Sequence, residues 1–317
     1  MLPPFLLIEN LTEIGVTMLD ELQLLFVLAP VINIQLILEG IFIGGIFALS
    51  AYGLALVWGV MNIKNLAQGD FVIMGGYMAL WLSMLGIPLL VIIPIVMVSM
   101  FVYGWVVYLL IIRRILDQDM FVSLLATFGL SLLMQQVINR IFGPEVQTVD
   151  MRLPVFDAFD NMVTIPSSKI LALGLAAIIA VAVVIFMKKS RTGQAIRATA
   201  QDPRAARVLG INIDRVYAFT FAFNSALCGA AGVLVSIIFV IQPFYGITYS
   251  MGSFAIVTAA GLGNLPAVIV SAFGIGLFTK YCGFFESALE YAAPVAVLIA
   301  VLMWRQVTMS RNRQVVR

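Results

Sequence analysis

Residues 70–113 read Asp70, then FVIMGGYMALWLSMLGIPLLVIIPIVMVSMFVYGWVVYLLII, then Arg113, with 42 uncharged residues between the two charges. A helix needs about 20 apolar residues to cross a hydrocarbon core. The stretch therefore holds two crossings, and Gly86-Ile87-Pro88 marks the turn between them. The same reading extends outward in both directions. Between Glu39 and Lys64 there are 24 uncharged residues, between Asp119 and Arg140 there are 20, and between Lys169 and Lys188 there are 18. Arg215 to Lys280 leaves 64, too many for one span or for two compact ones. Ser287 to Trp304 is a last run of 18 if Glu290 reaches the headgroups.

These gaps predict an all-α polytopic membrane protein. It has about eight full transmembrane helices, plus a broken or half-helix near 250–264. Composition agrees. The 317 residues are 62% hydrophobic and only 11% charged, where a soluble domain carries about 25% charged residues. That excludes a soluble enzyme, a disordered chain and a nucleic-acid binder; the net charge of +2 is too small to mean a polyanion partner. There is no histidine, and Cys228 and Cys282 both lie in apolar runs, so neither a metal-ligand spacing nor a disulfide framework is present.

Loop charge orients the chain. Residues 1–39 hold five acids and no Lys or Arg. The 188–215 loop is rich in Arg, and the 305–317 tail carries Arg305, Arg311, Arg313 and Arg317 with no acid. The 140–169 loop leans acidic. The expected arrangement is an outside N-terminus, an inside C-terminus, 113–119 and 188–215 inside, and 143–167 outside. Opposite-side termini need an odd number of crossings, so the 250–264 segment completes a ninth. Residues 1–30 lack a basic start and a small-residue cleavage site, and read as an extracytoplasmic amphipathic lead-in. Three regions follow: the lead-in 1–30, a transmembrane domain 31–304 that includes the 188–215 loop, and a basic cytoplasmic tail 305–317.

The 188–215 loop reads as a small folded device. Asp202 is an N-cap and Pro203 occupies the first helical position, where its missing N–H costs nothing. Gly210 supplies a left-handed stop. Residues 192–200 form another short helix, and Asp214 caps the span that starts near Val216. Ala205, Ala206, Val208 and Leu209 are small apolar residues ringed by Arg204 and Arg207, with Ala206 permitting close approach. That pattern suits docking into a groove on a cytoplasmic partner. A basic loop that only enforces orientation is the other reading.

Gly193-Gln194-Ala195-Ile196-Arg197-Ala198, Asp202-Pro203, Ala205-Ala206 and Leu209-Gly210-Ile211-Asn212 together resemble the cytoplasmic loop of permeases in branched-chain amino-acid ABC importers. Asn65-Leu66-Ala67-Gln68-Gly69-Asp70-Phe71 and Gly261-Leu262-Gly263-Asn264-Leu265-Pro266 are two further matches in order. The resemblance runs from about 33 to 304 and points to the smaller of the two permeases. Gln68 stands where His is usual, Ala260 and Ala267 where Gly is usual, and the tail lacks the family's ending. The resemblance implies a multi-pass protein of the bacterial cytoplasmic membrane. Its implied partners are a second permease, two cytoplasmic ATPases and an extracytoplasmic binding protein. It also implies that Arg197, Asp202, Pro203, Ala206, Arg207 and Gly210 couple to those ATPases. ATP belongs to the partners and no cofactor to this chain, which contains no Gly-Lys dipeptide and hence no P-loop.

Transporter substrates often pass between discontinuous helices near the midplane. Two stretches interrupt apolar sequence here: Met61–Asp70, and Gln242–Asn264 with its Pro and Gly residues. They follow a long span in each half of the chain and hint at an internal two-fold repeat. Asn62, Asn65, Gln68, Asp70, Thr258 and Asn264 are the pathway candidates. For Asp70 the alternative is an N-cap of a helix Phe71–Leu85 at the cytoplasmic surface, and for Asn264 a turn residue before Pro266. Gly40 and Gly44 form a GxxxG helix-contact signature. The expected function is a permease for branched-chain or other small amino acids, with no covalent chemistry of its own. Urea or short amides are the alternative substrates. An intramembrane enzyme is a distant reading, since the long spans hold almost no ionisable residues.

Overall fold

The computed structural model describes residues 31–116, 118–149, 154–158, 163–261 and 264–314; the 1–30 lead-in and the last three tail residues lie outside them. Along the described chain run α1 (Val31–Met61), α2 (Gln68–Met84) and α3 (Leu89–Val107). α3 continues through a π-helical turn at Tyr108–Ile112 to Ile115. Then come α4 (Met120–Phe142), a hairpin of β1 (Val155–Ala158) and β2 (Val163–Pro166), α5 (Ser167–Lys189), α6 (Arg191–Gln201) and α7 (Pro203–Val208). The chain closes with α8 (Ile213–Ile238), α9 (Gly246–Ala260), α10 (Leu265–Phe285) and α11 (Ser287–Gln314). The basic tail prolongs α11 as far as Gln314.

Seven of these helices are long and apolar enough to cross a membrane. The short helix that parity required near 250–264 is α9, of 15 residues. α2, counted among the full spans on charge gaps, has only 17 residues. It is short because it starts deep inside the bundle. Gln68, its first residue, donates to Ser50 O at 2.8 Å. Ser50 lies eleven residues before the end of α1, about 16 Å along the helix axis. Residues 62–67 must therefore turn back and climb beside α1.

α1 and α8 form the core, almost wholly buried, while α3, α4, α5, α10 and α11 keep wide apolar surfaces exposed, as lipid-facing helices do. Each core helix is followed by a non-helical break, a short helix and two further helices. The halves interlock: α10 lies along α1, and α3 lies along α8. This is the two-fold repeat hinted at by the two polar stretches. Small residues permit both contacts. A Cβ on Gly40 would stand 2.7 Å from Leu277 Cα, and one on Gly276 would stand 2.5 Å from Gly40 O. On the other side a Cβ on Gly104 would meet Ser225 Oγ at 2.2 Å. The Gly40/Gly44 signature is thus a packing face.

The connections gather at two ends of the bundle. At one end the Lys64 carbonyl lies 3.3 Å from Thr127 Oγ1 near the start of α4, Arg113 and Leu116 line a groove with α7, and Arg305 packs beside Gly261. At the other end the hairpin stands near the Lys169–Glu39 ion pair, and Gln147 pairs with Ile241 in an isolated bridge. Gly86, with φ +74°, makes the expected turn before Pro88. Asp214 is not the cap of α8: the helix starts at Ile213, and Asn212 Oδ1 accepts from Arg215 N at 3.1 Å.

A Gly44→Val substitution tests the α1–α10 contact, because a Cβ there would lie 2.9 Å from Phe273 Cα. Overpacking of this kind costs about 1–3 kcal/mol, so the unfolding temperature in detergent should fall. Gly129→Ala, which meets nothing within 4 Å, should hold or raise it. Equal behaviour of the two variants contradicts the packing assigned here.

Candidate functional site

The break at 62–67 sets up the site. Backbone groups of an extended segment have no helical partners, and inside a bundle they must find others. Leu66 N donates to Thr127 Oγ1 at 3.3 Å, and Ser250 Oγ donates to Leu66 O at 2.9 Å. Ala67 N donates to Asn65 Oδ1 at 3.2 Å. Gly69 N then donates to Ser250 Oγ at 2.8 Å. Three different helices, α2, α4 and α9, are joined through this one segment.

At the start of α2, Gln68 forms a reciprocal amide pair with Asn224 of α8. Gln68 Nε2 donates to Asn224 Oδ1 at 2.9 Å, and Asn224 Nδ2 returns a bond to Gln68 Oε1 at 3.1 Å. The other Gln68 N–H serves Ser50 O on α1. Ser50 Oγ lies 2.8 Å from Ser253 Oγ on α9. Both core helices and both short helices thus meet in one buried polar layer.

Asp70 occupies the third position of α2 and is 1% exposed. It is not the N-cap: that position belongs to Ala67, which has no side-chain cap bond. The helix begins earlier than the Phe71 start because Gln68 and Asn65 are held inside by distant partners. The Asp70 carboxylate accepts from Gln135 Nε2 of α4 at 2.9 Å. It also lies against the first residue of α9, where a Cβ on Gly246 would be 2.1 Å from Asp70 Oδ1. Gly69 is equally close, since its Cβ would come 1.8 Å from Gly246 O. The N-terminal turns of α2 and α9 are therefore side by side, and both place the positive end of a helix dipole near the carboxylate. Lys64 does not serve it; its ammonium lies 5.3 Å over the Trp58 ring.

Of the six pathway candidates the structure gathers Asn65, Gln68 and Asp70. Asn62 is exposed and ends α1 at φ +55°. Asn264 is exposed and caps α10, accepting from Ala267 N at 3.3 Å. Thr258 is buried in α9, eight residues past Ser250 and about 12 Å along the axis. Ser50, Gln135, Asn224, Ser250 and Ser253 were missed by sequence reasoning. Their only local signal is a lone polar residue inside an apolar run.

The 188–215 device folds as its caps require, with one correction. Asp202 Oδ1 accepts from Arg204 N at 2.8 Å and from Ala205 N at 3.1 Å, Pro203 opens α7, and Gly210 has φ +84°. Arg197 donates to Met187 O at the end of α5. Ala206 is not on the outer face. It is 2% exposed, whereas Val208 is 88% and Leu209 79% exposed. The apolar faces are exchanged because Ile211 N donates to Ala206 O at 3.1 Å, folding the chain back over that side. Arg113, Arg204, Arg207 and Val208 border a groove of about 610 Å³ beside this pair.

The family model described as the permease component of branched-chain amino acid transport systems matches residues 36–303. The LivH high-affinity branched-chain amino acid permease of Salmonella typhimurium is 30% identical over 294 residues, covering 85% of this chain and 92% of that protein. BraD of Pseudomonas aeruginosa, a permease of the same description, is 25% identical over 290 residues, covering 86% and 94%. A probable LivH of Methanocaldococcus jannaschii is 25% identical over 281 residues, covering 84% and 89%.

Removing the Gln68 amide as Gln68→Leu strands the Asn224 side chain and the Ser50 carbonyl. Each buried orphan costs about 1–3 kcal/mol. Asn224→Leu alone should cost a similar amount, and the double variant less than the sum of the two. Denaturant unfolding in detergent measures all three; strict additivity would show that the amides are not a pair.

Proposed function

The chain belongs to the family of branched-chain amino acid transport permeases, and we propose that it is the membrane subunit through which an ABC importer moves branched-chain or other small apolar amino acids. The observation that carries this reading is the family match across 36–303, the whole described bundle from α1 into α11. A second permease completes the pathway, two ATPases dock at the Arg-rich end, and a binding protein delivers substrate to the hairpin end. The N-terminus is outside and the tail inside.

Coupling runs through α6 and α7. Val208 and Leu209 offer an exposed apolar knob, and Arg204 and Arg207 flank it with positive charge. A partner with an apolar groove and an acidic rim matches both features. The knob is mounted firmly. Ser190 Oγ accepts from Gly193 N at 2.9 Å, Arg197 ties α6 to the end of α5, and Asn212 caps α8. A push on Leu209 is therefore delivered to two membrane helices. Asp70, Gln68 and their partners hold the two short helices together, and separating the N-termini of α2 and α9 is the motion this arrangement offers.

Reconstitution with the second permease, binding protein and ATPases of such an importer tests the function. ATP-dependent uptake of labelled leucine should appear, should compete with valine and not with urea or acetamide, and should vanish when this chain is left out. ATP hydrolysis by the purified chain alone, or uptake without ATPases, overturns the reading. Leu209→Asp should insert normally yet lose most uptake, because docking must then desolvate a charge at a cost of several kcal/mol, about a hundredfold or more in affinity. Wild-type uptake by Leu209→Asp removes the knob from the mechanism. For orientation, a cysteine at Gln147 should react with an impermeant thiol reagent in whole cells, and one at Gln201 only after permeabilisation.

A further inference from the structure

A groove of about 320 Å³ runs down the outside of the bundle between α5 and α10, both of which lie on α1. None of the residues that line it carries a polar side chain. Gly45 and Ala48 of α1 form its floor, Ala180 of α5 keeps it deep, and Ile269 and Phe273 of α10 make the far wall. Leu173 closes the upper end against Gly45, where a Cβ would stand 2.9 Å from Leu173 Cδ1. From Leu173 the groove follows α5 to Ile185, about 18 Å along the helix axis. A hydrocarbon core about 30 Å thick has leaflets of about 15 Å, so the groove is one leaflet deep.

The same face of α5 then turns basic. Lys188 follows Val184 by one helical turn and Lys189 follows Ile185, so the groove runs out onto two lysines at the end of the helix. Both are exposed, and among the described residues neither takes part in an ion pair. At the opposite end of α5 the cation, Lys169, is already matched by Glu39. A ligand taken from water is oriented by polar groups in its pocket, and these walls offer none; a hydrocarbon chain needs none. A partner helix is the other occupant that such a groove admits. The second permease of an importer has to border the polar layer that it completes, and the helices flanking that layer are α4, beside α2, and α11, beside α9. α5 packs instead on α1 and α8, so its outer face is left to the bilayer.

We propose that this groove is a binding subsite for an anionic phospholipid of the cytoplasmic leaflet, with one acyl chain lying between α5 and α10 and the phosphodiester on Lys188 and Lys189. The chain fills the space that helix packing leaves open. The headgroup sits where α5 passes to α6, at the Ser190 cap, and there it braces the mount of the Arg-rich lobe against α1. The proposal rests on the importer reading for sidedness and for the place of the second permease.

Native mass spectrometry of the purified full-length chain, delipidated and titrated with dioleoyl phosphatidylglycerol or dioleoyl phosphatidylcholine, tests it. A lysine beside an anionic headgroup is worth about fivefold in affinity, so the first phosphatidylglycerol should bind about 25-fold more tightly than the zwitterionic lipid. Lys188→Gln with Lys189→Gln should erase that preference and leave phosphatidylcholine binding unchanged. Ala177→Phe, at an exposed position on the groove wall, should weaken both lipids by about tenfold or more. Ala182→Phe, exposed on α5 but outside the groove, should leave both as they are. Glycerol 3-phosphate, which has the charge and no chain, should not compete. Equal binding of the two lipids by the wild type overturns the proposal. So does unchanged lipid binding in Ala177→Phe, displacement by glycerol 3-phosphate, or a disulfide between Ala177→Cys and a cysteine of the second permease, which gives the groove to that subunit. If the lysine variant does not insert, Ala177→Phe decides. ATP-dependent leucine uptake without selective lipid binding sinks the subsite alone. Selective lipid binding by a chain that supports no uptake keeps the subsite and sinks the importer reading.

Discussion

A polypeptide inside an apolar bundle cannot leave backbone N–H and C=O groups unpaired, and that constraint governs the break at 62–67. The segment leaves α1, turns at the exposed Asn62 and re-enters the protein without helical hydrogen bonds of its own. Thr127, Ser250 and Asn65 supply what the helix no longer provides. The second break, 239–245, meets the same demand differently. Ile241 exchanges two backbone bonds with Gln147, N to O at 2.7 Å and 2.9 Å. One break is held by side chains and the other by a second piece of backbone. Both deliver the chain to the start of a short helix inside the bundle, and the remaining geometry follows from where those starts lie.

The starts lie against each other. Gly69 and Gly246 leave no room for a Cβ, so the first turns of α2 and α9 touch backbone to backbone. Two helix N-termini in contact concentrate partial positive charge in a medium of low dielectric. Asp70 is the acidic group in the first turn of α2, and α9 has none. One carboxylate facing both N-termini accounts for a buried acid that needs no Lys or Arg. Gln135 then satisfies it with a charge-assisted bond. The two-fold repeat is thus broken at its centre, where a single charge serves both halves.

Much of this was legible in the sequence, and the rest failed for one reason. Charge gaps located the spans, and Gly86-Ile87-Pro88, Asp202-Pro203 and Gly210 gave turns and caps that stand as read, because those signals act within a few residues. Depth in the bundle is not local. Gln68 is drawn inside by Asn224, 156 positions away, and that partnership moves Asp70 from an expected surface cap to a buried position. The size of Ala206 permits close approach but does not say which face of the helix it occupies. Its burial depends on the chain folding back after Gly210, which exposes Val208 and Leu209 instead. Asn212 displaced Asp214 as the cap of α8 for a lesser reason: either residue type caps well, and the helix simply starts three residues earlier than the apolar run suggests.

α8 connects the Arg-rich lobe to the buried layer. It begins at the Asn212 cap, directly after α7, and carries Asn224 twelve residues on, about 18 Å along its axis. Asn224 grips Gln68, the first residue of α2, and α2 in turn abuts α9. A hydrogen-bonded amide pair contributes only about 1 kcal/mol per bond to stability, yet opening it inside the bundle without replacement partners costs more. The link is therefore stiff to small displacements and yields only when new partners are at hand. Cys228 Sγ, one helical turn further along α8, already lies 3.0 Å from Gln68 Nε2 and adds a weaker acceptor to the same cluster.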